Sequence, residues 1–229
     1  MADNFWDWYE KNKIELFWYK YRVFMGLDPE GNSTWFQEKM HFKQMRKQRK
    51  KAFDADNVND AFAYAPFIDY QPLLEEWWDE LDREEKEKYL TKTWFQKMDG
   101  FFMGLDWWIP YFQELGYITN CDMPKPTEPI ILYRGSEPFF RLGMSWTDNV
   151  DMARVFSESE SLISNKYIYR TIVQPESILA ILRGDAVDVD GSTIVNHGLE
   201  YVINHQDLSY DYVYGLDDPA WEVYKEKVI

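Results

Sequence analysis

The hydrophobic pattern of this chain changes at a proline-rich segment, Cys121–Pro129, and that change limits the folds that the chain can adopt. Before the segment, aromatic residues recur every three or four positions between charged residues, which is typical of amphipathic helices. After it, short apolar runs such as Ile130–Tyr133 and Leu199–Ile203 are typical of strands. The pattern predicts an α+β protein, with a helical, aromatic-rich region over residues 1–120 and a small sheet domain over residues 121–229.

The same periodicities predict the individual elements. The first region is predicted to hold an N-terminal helix, a second helix ending near Lys51, an irregular stretch over Asp54–Pro72, and helices over Leu73–Leu81, from Asp82 onward and over Asp106–Gly116. The second region is predicted to hold strands over Ile130–Tyr133, Met144–Trp146, Tyr167–Val173, Ile178–Leu182 and Leu199–Ile203. A short helix over Asp148–Phe156, capped by Thr147 or Asp148, is predicted between the second and third strands.

The charge of the chain restricts its partners. It carries 40 Asp and Glu against 25 Lys and Arg, which gives a formal net charge of -15 at pH 7. A protein this acidic gains nothing from counterion release, so general nucleic-acid binding is not expected. A basic run, Lys43–Lys51, is expected to face solvent or to pair with the acidic stretch Glu75–Glu87. Aromatic residues make up 18% of the chain and supply either a large core or an interaction surface.

Several absences in the sequence predict a cytoplasmic protein without a membrane segment. The N-terminus has neither a basic nor an apolar signal region, and no apolar run approaches the ~18 residues that span a bilayer. Cys121 is the single cysteine, so no internal disulfide can form. His41, His197 and His205 show no zinc-ligand spacing, and no metal is predicted. The oligomeric state is left open.

The strongest functional signal is a series of short motifs in the second region. Tyr133–Gly135, with the sequence Tyr-Arg-Gly, ends the first predicted strand, and Ser145–Thr147, with the sequence Ser-Trp-Thr, leads into a helix that contains Phe156. Glu200 lies on the last predicted strand. In this order the motifs resemble the Arg–Ser–Glu class of ADP-ribosyltransferases over about residues 130–205. The resemblance implies an ADP-ribosyltransferase-like split-sheet domain that binds NAD.

The resemblance implies that the protein is a mono-ADP-ribosyltransferase, which moves ADP-ribose from NAD to a macromolecular acceptor, expected to be a protein, and releases nicotinamide. Arg134 would bind NAD, because a guanidinium makes charge-assisted, bidentate contacts with phosphate or ribose oxygens. Ser145 would shape the pocket for the nicotinamide ribose. Glu200 would be the catalytic carboxylate, since bond cleavage gives the ribose oxocarbenium character that a nearby negative charge stabilises. NAD is the substrate in this chemistry, which requires no metal.

The resemblance also implies further contacts to NAD. Gly135 would let the backbone approach the ligand closely, and neighbouring backbone groups would hold the nicotinamide amide. Thr147 stands where the second hydroxyl of the family motif lies. Tyr133, Trp146 or Phe156 would stack on a ring of the ligand. The predicted NAD contacts therefore cluster on the first two strands of the sheet domain and on the helix that follows them.

One departure from the family bears on the acceptor. Arginine-modifying members carry Glu or Gln two residues before the catalytic Glu, and here that position is Gly198. The departure counts against arginine as the acceptor and leaves open another protein residue, a nucleic acid, a small molecule, water in an NAD glycohydrolase, or a domain that only binds. A rival of a different class is a non-catalytic acidic interaction protein, such as a phage-type inhibitor or a nucleic-acid mimic. A small, acidic, cysteine-poor chain suits a cytoplasmic effector.

Overall fold

The structure is a computed structural model, and it describes residues 43–44, 47–66, 69–96, 104–158, 166–184, 186–187, 193–194 and 198–228. The helices predicted before residue 43 lie outside these residues. The chain divides into two compact units, one comprising Met1–Leu81 with Gln96–Phe102 and the other comprising Asp82–Phe95 with Met103–Ile229. The unit that contains the sheets therefore also includes helical residues that precede position 121.

Short helices make up the described part of the first unit. Residues 47–53 are helical and are followed by α1 (Val58–Tyr64), α2 (Tyr70–Trp77) and a 3-10 turn at Trp78–Glu80. The prediction that Asp54–Pro72 is irregular is wrong, because Asn57 begins α1 by accepting a 2.9 Å hydrogen bond from the Asp60 amide. Helix α1 has only seven residues, and one of its faces is buried.

The described part of the basic run faces solvent, as predicted. Lys50 pairs with Asp54, and the Arg49 guanidinium Nε lies 3.6 Å from a carboxylate oxygen of Asp69. Neither acidic partner belongs to the stretch Glu75–Glu87. The exposed Lys50–Asp54 pair contributes about 0–1 kcal/mol to stability, whereas the carboxylate of Asp69 is buried.

The second unit contains helices and short strands in the following order. Helices α3 (Arg83–Phe95) and α4 (Trp108–Leu115) precede β1 (Ile118–Thr119), β2 (Ile130–Ser136) and β3 (Ser145–Trp146). Helix α5 (Val150–Glu158) leads to β4 (Tyr167–Val173), β5 (Ile178–Arg183), β6 (Ala186–Val187), β7 (Thr193–Ile194) and β8 (Leu199–Ile203). Strand β9 (Tyr214–Gly215) and helix α6 (Ala220–Val228) follow, although the sequence pattern predicts neither. In the described part of the chain, no helix is both long enough and apolar enough to cross a membrane.

The strands form two larger sheets and a hairpin. The four-stranded sheet has the order β1-β5-β8-β3, the three-stranded sheet has the order β2-β4-β9, and β6 pairs with β7. The β1–β5 pair is parallel, and the other pairs are antiparallel. The predicted α+β class, with helices in the N-terminal part followed by small sheets, is confirmed.

A short β-bridge joins the two larger sheets beside the motif residues. The Tyr133 amide donates to the Thr147 carbonyl at 2.7 Å, and the Thr147 amide donates to the Tyr133 carbonyl at 2.9 Å. Residues from both sheets form one hydrophobic core cluster, which comprises Leu132, Trp146, Tyr169, Val173, Ile178, Ile181, Tyr201, Ile203 and Val213. The bridge and the core cluster together hold β2 next to β3, and these two strands carry Arg134 and Ser145.

Helices of the same unit cover the opposite face of the four-stranded sheet. Alternate residues of a strand face opposite sides, so Glu200 and Val202 face away from the core cluster, which contains Tyr201 and Ile203. Helix α4 packs against both α3 and β5, and α3 reaches Glu200 through Trp94. Helices α3 and α4 therefore lie on the side of the sheet that carries Glu200.

The helix after β3 is capped by a residue other than the two predicted ones. Thr147 and Asp148 are the predicted caps of α5, but the Asn149 side chain is the group that accepts a 2.9 Å hydrogen bond from the Asp151 amide. The Thr147 hydroxyl accepts from the Asn149 amide at 3.2 Å, and Asp148 accepts from the Tyr201 hydroxyl at 3.1 Å. The first turn of α5 therefore depends on Asn149.

We expect Asn149→Ala to lower the free energy of unfolding by about 1 kcal/mol, because the first turn of α5 loses its side-chain acceptor. Asn149→Asp keeps an acceptor at the same position and should lose much less. Urea unfolding followed by far-ultraviolet circular dichroism measures both variants against wild type. Equal losses in the two variants would show that the side chain of residue 149 is not the cap.

Candidate active site

The Arg134 guanidinium is held by backbone carbonyls near the junction of the two sheets. Its Nε donates to the Phe140 carbonyl at 2.9 Å, and its Nη1 donates to the Ser145 carbonyl at 2.6 Å. Gly143 lies against the same group, since a Cβ placed there would come within 2.6 Å of the guanidinium carbon. The segment from Phe140 to Ser145 therefore fixes both the position and the direction of the guanidinium.

The half-buried Arg134 keeps its charge. Burial lowers the pKa of its guanidinium to about 10, and the negative charge of Glu200 opposes that decrease. The group is therefore protonated at neutral pH. The two groups belong to different sheets, Arg134 to β2 and Glu200 to β8.

Ser145 and Glu200 lie on neighbouring strands and face the same side of the sheet. Strands β3 and β8 are antiparallel, with Ser145 opposite Val202 and Trp146 opposite Tyr201. Glu200 is two residues before Val202, so it is the diagonal neighbour of Ser145, and such neighbours are about 7–8 Å apart. Both residues are half-buried. The register therefore brings a hydroxyl and a carboxylate to one surface of the sheet.

The Glu200 carboxylate also accepts a hydrogen bond from helix α3. The indole Nε1 of Trp94 donates to Oε1 of Glu200 at 3.0 Å. Trp94 is 1% exposed, and its ring meets those of Trp108 and Phe112 edge-on, at centroid distances of 5.0 and 5.3 Å. The sequence pattern predicts that Trp94 lies in a helix, but it gives no sign of this contact, because Trp94 and Glu200 are 106 positions apart.

The three aromatic residues that were predicted to stack on a ring of NAD, Trp146, Phe156 and Tyr133, lie in three different surroundings. Trp146 is 2% exposed within the core cluster, and its Nε1 donates to the Gly143 carbonyl at 2.6 Å. This burial corrects the prediction that Trp146 stacks on a ligand: Ser145 and Trp146 are adjacent in β3 and face opposite sides of it. Phe156 is 54% exposed on α5. Tyr133 is half-buried on β2, and because it is adjacent to Arg134 in this strand it faces the opposite side, the side on which Gly135 meets α5.

Two further residues that the resemblance assigns to the NAD site, Gly135 and Thr147, contact helix α5 or its first turn. A Cβ at Gly135 would overlap the Ala153 carbonyl oxygen and lie 2.6 Å from the Ser157 amide nitrogen, so glycine is what lets α5 pack directly on β2. At this face, the close approach predicted for a ligand is made by a helix of the protein. Thr147 is buried, and its hydroxyl accepts from the Asn149 amide at 3.2 Å. Gly135 and Thr147 therefore serve the packing and the start of α5.

The position two residues before Glu200 has a backbone that favours glycine. Gly198 has a φ of +71°, in the left-handed region, and a Cβ there would approach the Met152 side chain to 3.3 Å. A Glu or Gln at this position would be strained in this backbone.

The described residues hold no group of three or more His, Cys, Asp or Glu side chains that could bind a metal ion. The His205 ring nitrogen Nε2 is instead hydrogen-bonded to an oxygen of Asp106 at 2.9 Å. His41 and His197 lie outside the described part of the chain. Comparisons with protein-family models, with curated proteins and with solved structures found no match to this chain.

Proposed function

We propose that the protein is a mono-ADP-ribosyltransferase that transfers ADP-ribose from NAD to a macromolecular acceptor and releases nicotinamide. The observation that supports this proposal is the junction of β2, β3 and β8, where the Arg134 guanidinium donates to the Ser145 carbonyl and Glu200 is the diagonal neighbour of Ser145 across the β3–β8 pair. These are also the three residues on which the resemblance to ADP-ribosyltransferases rests. A cation, a hydroxyl and a carboxylate at one junction are the groups that this reaction needs.

Arg134 is suited to bind the negatively charged part of NAD. Two of its nitrogens donate to carbonyls of the same chain, and these bonds hold the guanidinium in place before any ligand arrives. A group fixed in advance loses little conformational freedom when it contacts a phosphate or ribose oxygen. Its pKa of about 10 keeps it positively charged at neutral pH.

Glu200 is suited to stabilise the bond-breaking step. The bond between ribose C1′ and the nicotinamide nitrogen breaks, its electron pair goes to the nicotinamide, and the ribose acquires oxocarbenium character. The Glu200 carboxylate would accept a hydrogen bond from a ribose hydroxyl and stabilise the developing positive charge. The acceptor then forms a bond to C1′ and loses a proton. The products are the ADP-ribosylated acceptor, nicotinamide and that proton.

The proposed acceptor is a protein side chain other than arginine. Support comes from Gly198, whose left-handed backbone disfavours the Glu or Gln that arginine-modifying members carry at this position. The net charge of -15 favours a protein over a nucleic acid, because a polyanionic acceptor would be repelled. With water as the acceptor, the same site would act as an NAD glycohydrolase.

The proposal is tested with NAD labelled in its adenylate half, which is incubated with the purified protein with and without a cell lysate. A transferase moves the label into macromolecules of the lysate and releases nicotinamide in proportion. A glycohydrolase releases free ADP-ribose and nicotinamide without any need for lysate. If the folded protein neither transfers label nor releases nicotinamide, the proposal is wrong and the non-catalytic interaction protein is favoured.

We expect Gly143→Ala to impair activity much more than stability. The added Cβ would lie within 2.6 Å of the Arg134 guanidinium carbon and would displace that group. Because the guanidinium is the end of a side chain and not backbone, it can move without a shift of β2, so the protein should still fold. A displacement of ~1 Å should lower kcat/KM for NAD by about 10- to 100-fold. Initial rates of nicotinamide release and thermal unfolding, measured on the same preparation, test both parts, and a normal kcat/KM would contradict the role of Arg134.

A further inference from the structure

We infer that Trp94, on helix α3, is a positioning residue for the catalytic carboxylate Glu200, an inference that rests on the proposed function. The indole Nε1 donates to Glu200 Oε1 at 3.0 Å, and Trp94 lies outside residues 130–205, which carry the family resemblance. The active site is therefore completed by the helical part of the chain. A carboxylate on β8 and its donor on α3 belong to the same compact unit.

The Trp94 donor is rigid. Its ring is 1% exposed and is held edge-on by Trp108 and Phe112, so its side chain has no free space in which to change rotamer. Trp108 itself is fully buried, and Phe112 lies in the same helix one turn later. The aromatic packing therefore fixes the direction of the indole N–H bond that points at Glu200.

A fixed donor matters for this carboxylate because Glu200 is half-buried and has a flexible side chain. A hydrogen bond to one carboxylate oxygen restricts the rotamers of the side chain and so fixes the position of the carboxylate. The same hydrogen bond favours the ionised form of the carboxylate, which is the form that stabilises a positive charge. Trp94 thus acts through Glu200 and contacts no reacting atom itself.

The chain offers a matched control in the neighbouring indole, Trp108. Both rings are buried in the same aromatic packing, but among the described residues Trp108 Nε1 has no hydrogen-bond partner. Trp94→Phe and Trp108→Phe therefore remove similar ring area, whereas only the first removes a donor to Glu200. Arg134, the charged neighbour of Glu200 on β2, is retained in both variants.

The experiment measures nicotinamide release against NAD concentration and pH for the full chain and the two variants. For Trp94→Phe we expect kcat to fall about tenfold, as for loss of one hydrogen bond to a charged group, with KM for NAD nearly unchanged. The acid limb of the kcat profile should also move to higher pH, because the ionised carboxylate loses a donor. Trp108→Phe keeps an aromatic ring against Trp94 and keeps the donor to Glu200, so its acid limb should stay at the wild-type pH and its kcat should fall less than that of Trp94→Phe.

Each outcome decides between the two proposals. If wild type is active and the two variants lose kcat equally with unmoved acid limbs, the inference on Trp94 is wrong and the proposed function stands. If wild type releases no nicotinamide, the proposed function is wrong and the inference falls with it. If Trp94→Phe fails to fold, the indole N–H resonance of Trp94 is followed against pH in wild type and in Glu200→Gln. A pH-dependent shift of this resonance that occurs only in wild type supports the inference. The absence of such a shift in wild type overturns it.

Discussion

Glu200→Gln should reduce kcat for nicotinamide release by about 100- to 1000-fold, the range found when one group that stabilises a developing charge is removed. Glutamine has nearly the same size as glutamate, and its carbonyl oxygen can still accept the hydrogen bond from the Trp94 indole. What is lost is the negative charge that stabilises the oxocarbenium character of the ribose. KM for NAD should change little, because the proposed binding group, Arg134, is untouched.

The control for this variant is Glu158→Gln, which removes one negative charge from an exposed position at the end of α5. We expect its kcat and KM to equal those of wild type. Thermal unfolding of both variants checks that the comparison is made between folded proteins. Similar kcat values for Glu200→Gln and wild type would exclude Glu200 from the chemical step.

Gly135→Ala should destabilise the protein by about 1–3 kcal/mol, the usual cost of an added group in a site with no free volume. The new Cβ would overlap the Ala153 carbonyl oxygen and lie 2.6 Å from the Ser157 amide nitrogen, and both are backbone atoms of α5. Neither atom can move away without a shift of the whole helix against β2. Since β2 also carries Arg134, such a shift should lower the activity as well.

Gly215→Ala serves as the comparison for this substitution. Gly215 also lies in a strand, β9, but a Cβ there would meet no heavy atom within 4 Å. Its stability should stay within about 0.5 kcal/mol of wild type, as for most substitutions in open positions. Urea unfolding of the two variants tests the prediction. A Gly135→Ala protein as stable as Gly215→Ala would show that α5 does not pack on β2 as described.

Local sequence patterns predicted the strands β2, β3, β4, β5 and β8, but neither the two-residue strands β1, β6, β7 and β9 nor the pairing of any strand. The predicted strand Tyr167–Val173 has the observed bounds of β4, because its apolar run is short, rich in β-branched and aromatic residues and flanked by polar segments. The β3–β8 pairing joins Ser145 to Val202 across more than fifty residues. Register between distant strands depends on the whole core, so no local pattern contains it.

Two roles predicted from the resemblance were wrong, that of Trp146 and that of Gly135. Ser145 and Trp146 were both predicted to face the ligand, yet adjacent residues of a strand face opposite sides, and the buried side takes Trp146. Gly135 was predicted to admit a ligand, whereas the space beside it admits α5. A glycine motif indicates a close approach but does not say which group approaches.

The helical contribution to the site has no local signal either. Trp94 lies in a predicted helix with ordinary spacing, and its donation to Glu200 follows only from the packing of α3 and α4 on one face of the sheet. The missed helix α1 is too short, at seven residues, for a periodic pattern to stand out from a loop. Its cap Asn57 was the available signal, since asparagine is favoured at helix N-termini.

The most direct test of an NAD site formed by Arg134, Ser145 and Glu200 is a titration of the isotope-labelled protein with NAD, followed by backbone amide resonances. We expect saturable shifts at these three residues, at neighbouring positions of β2, β3 and β8, and at the Trp94 indole. The amides of α1, in the first unit, should stay unchanged at the same NAD concentrations. Saturable shifts confined to other surfaces, or none at saturating NAD, would contradict the assignment of these three residues to one NAD site.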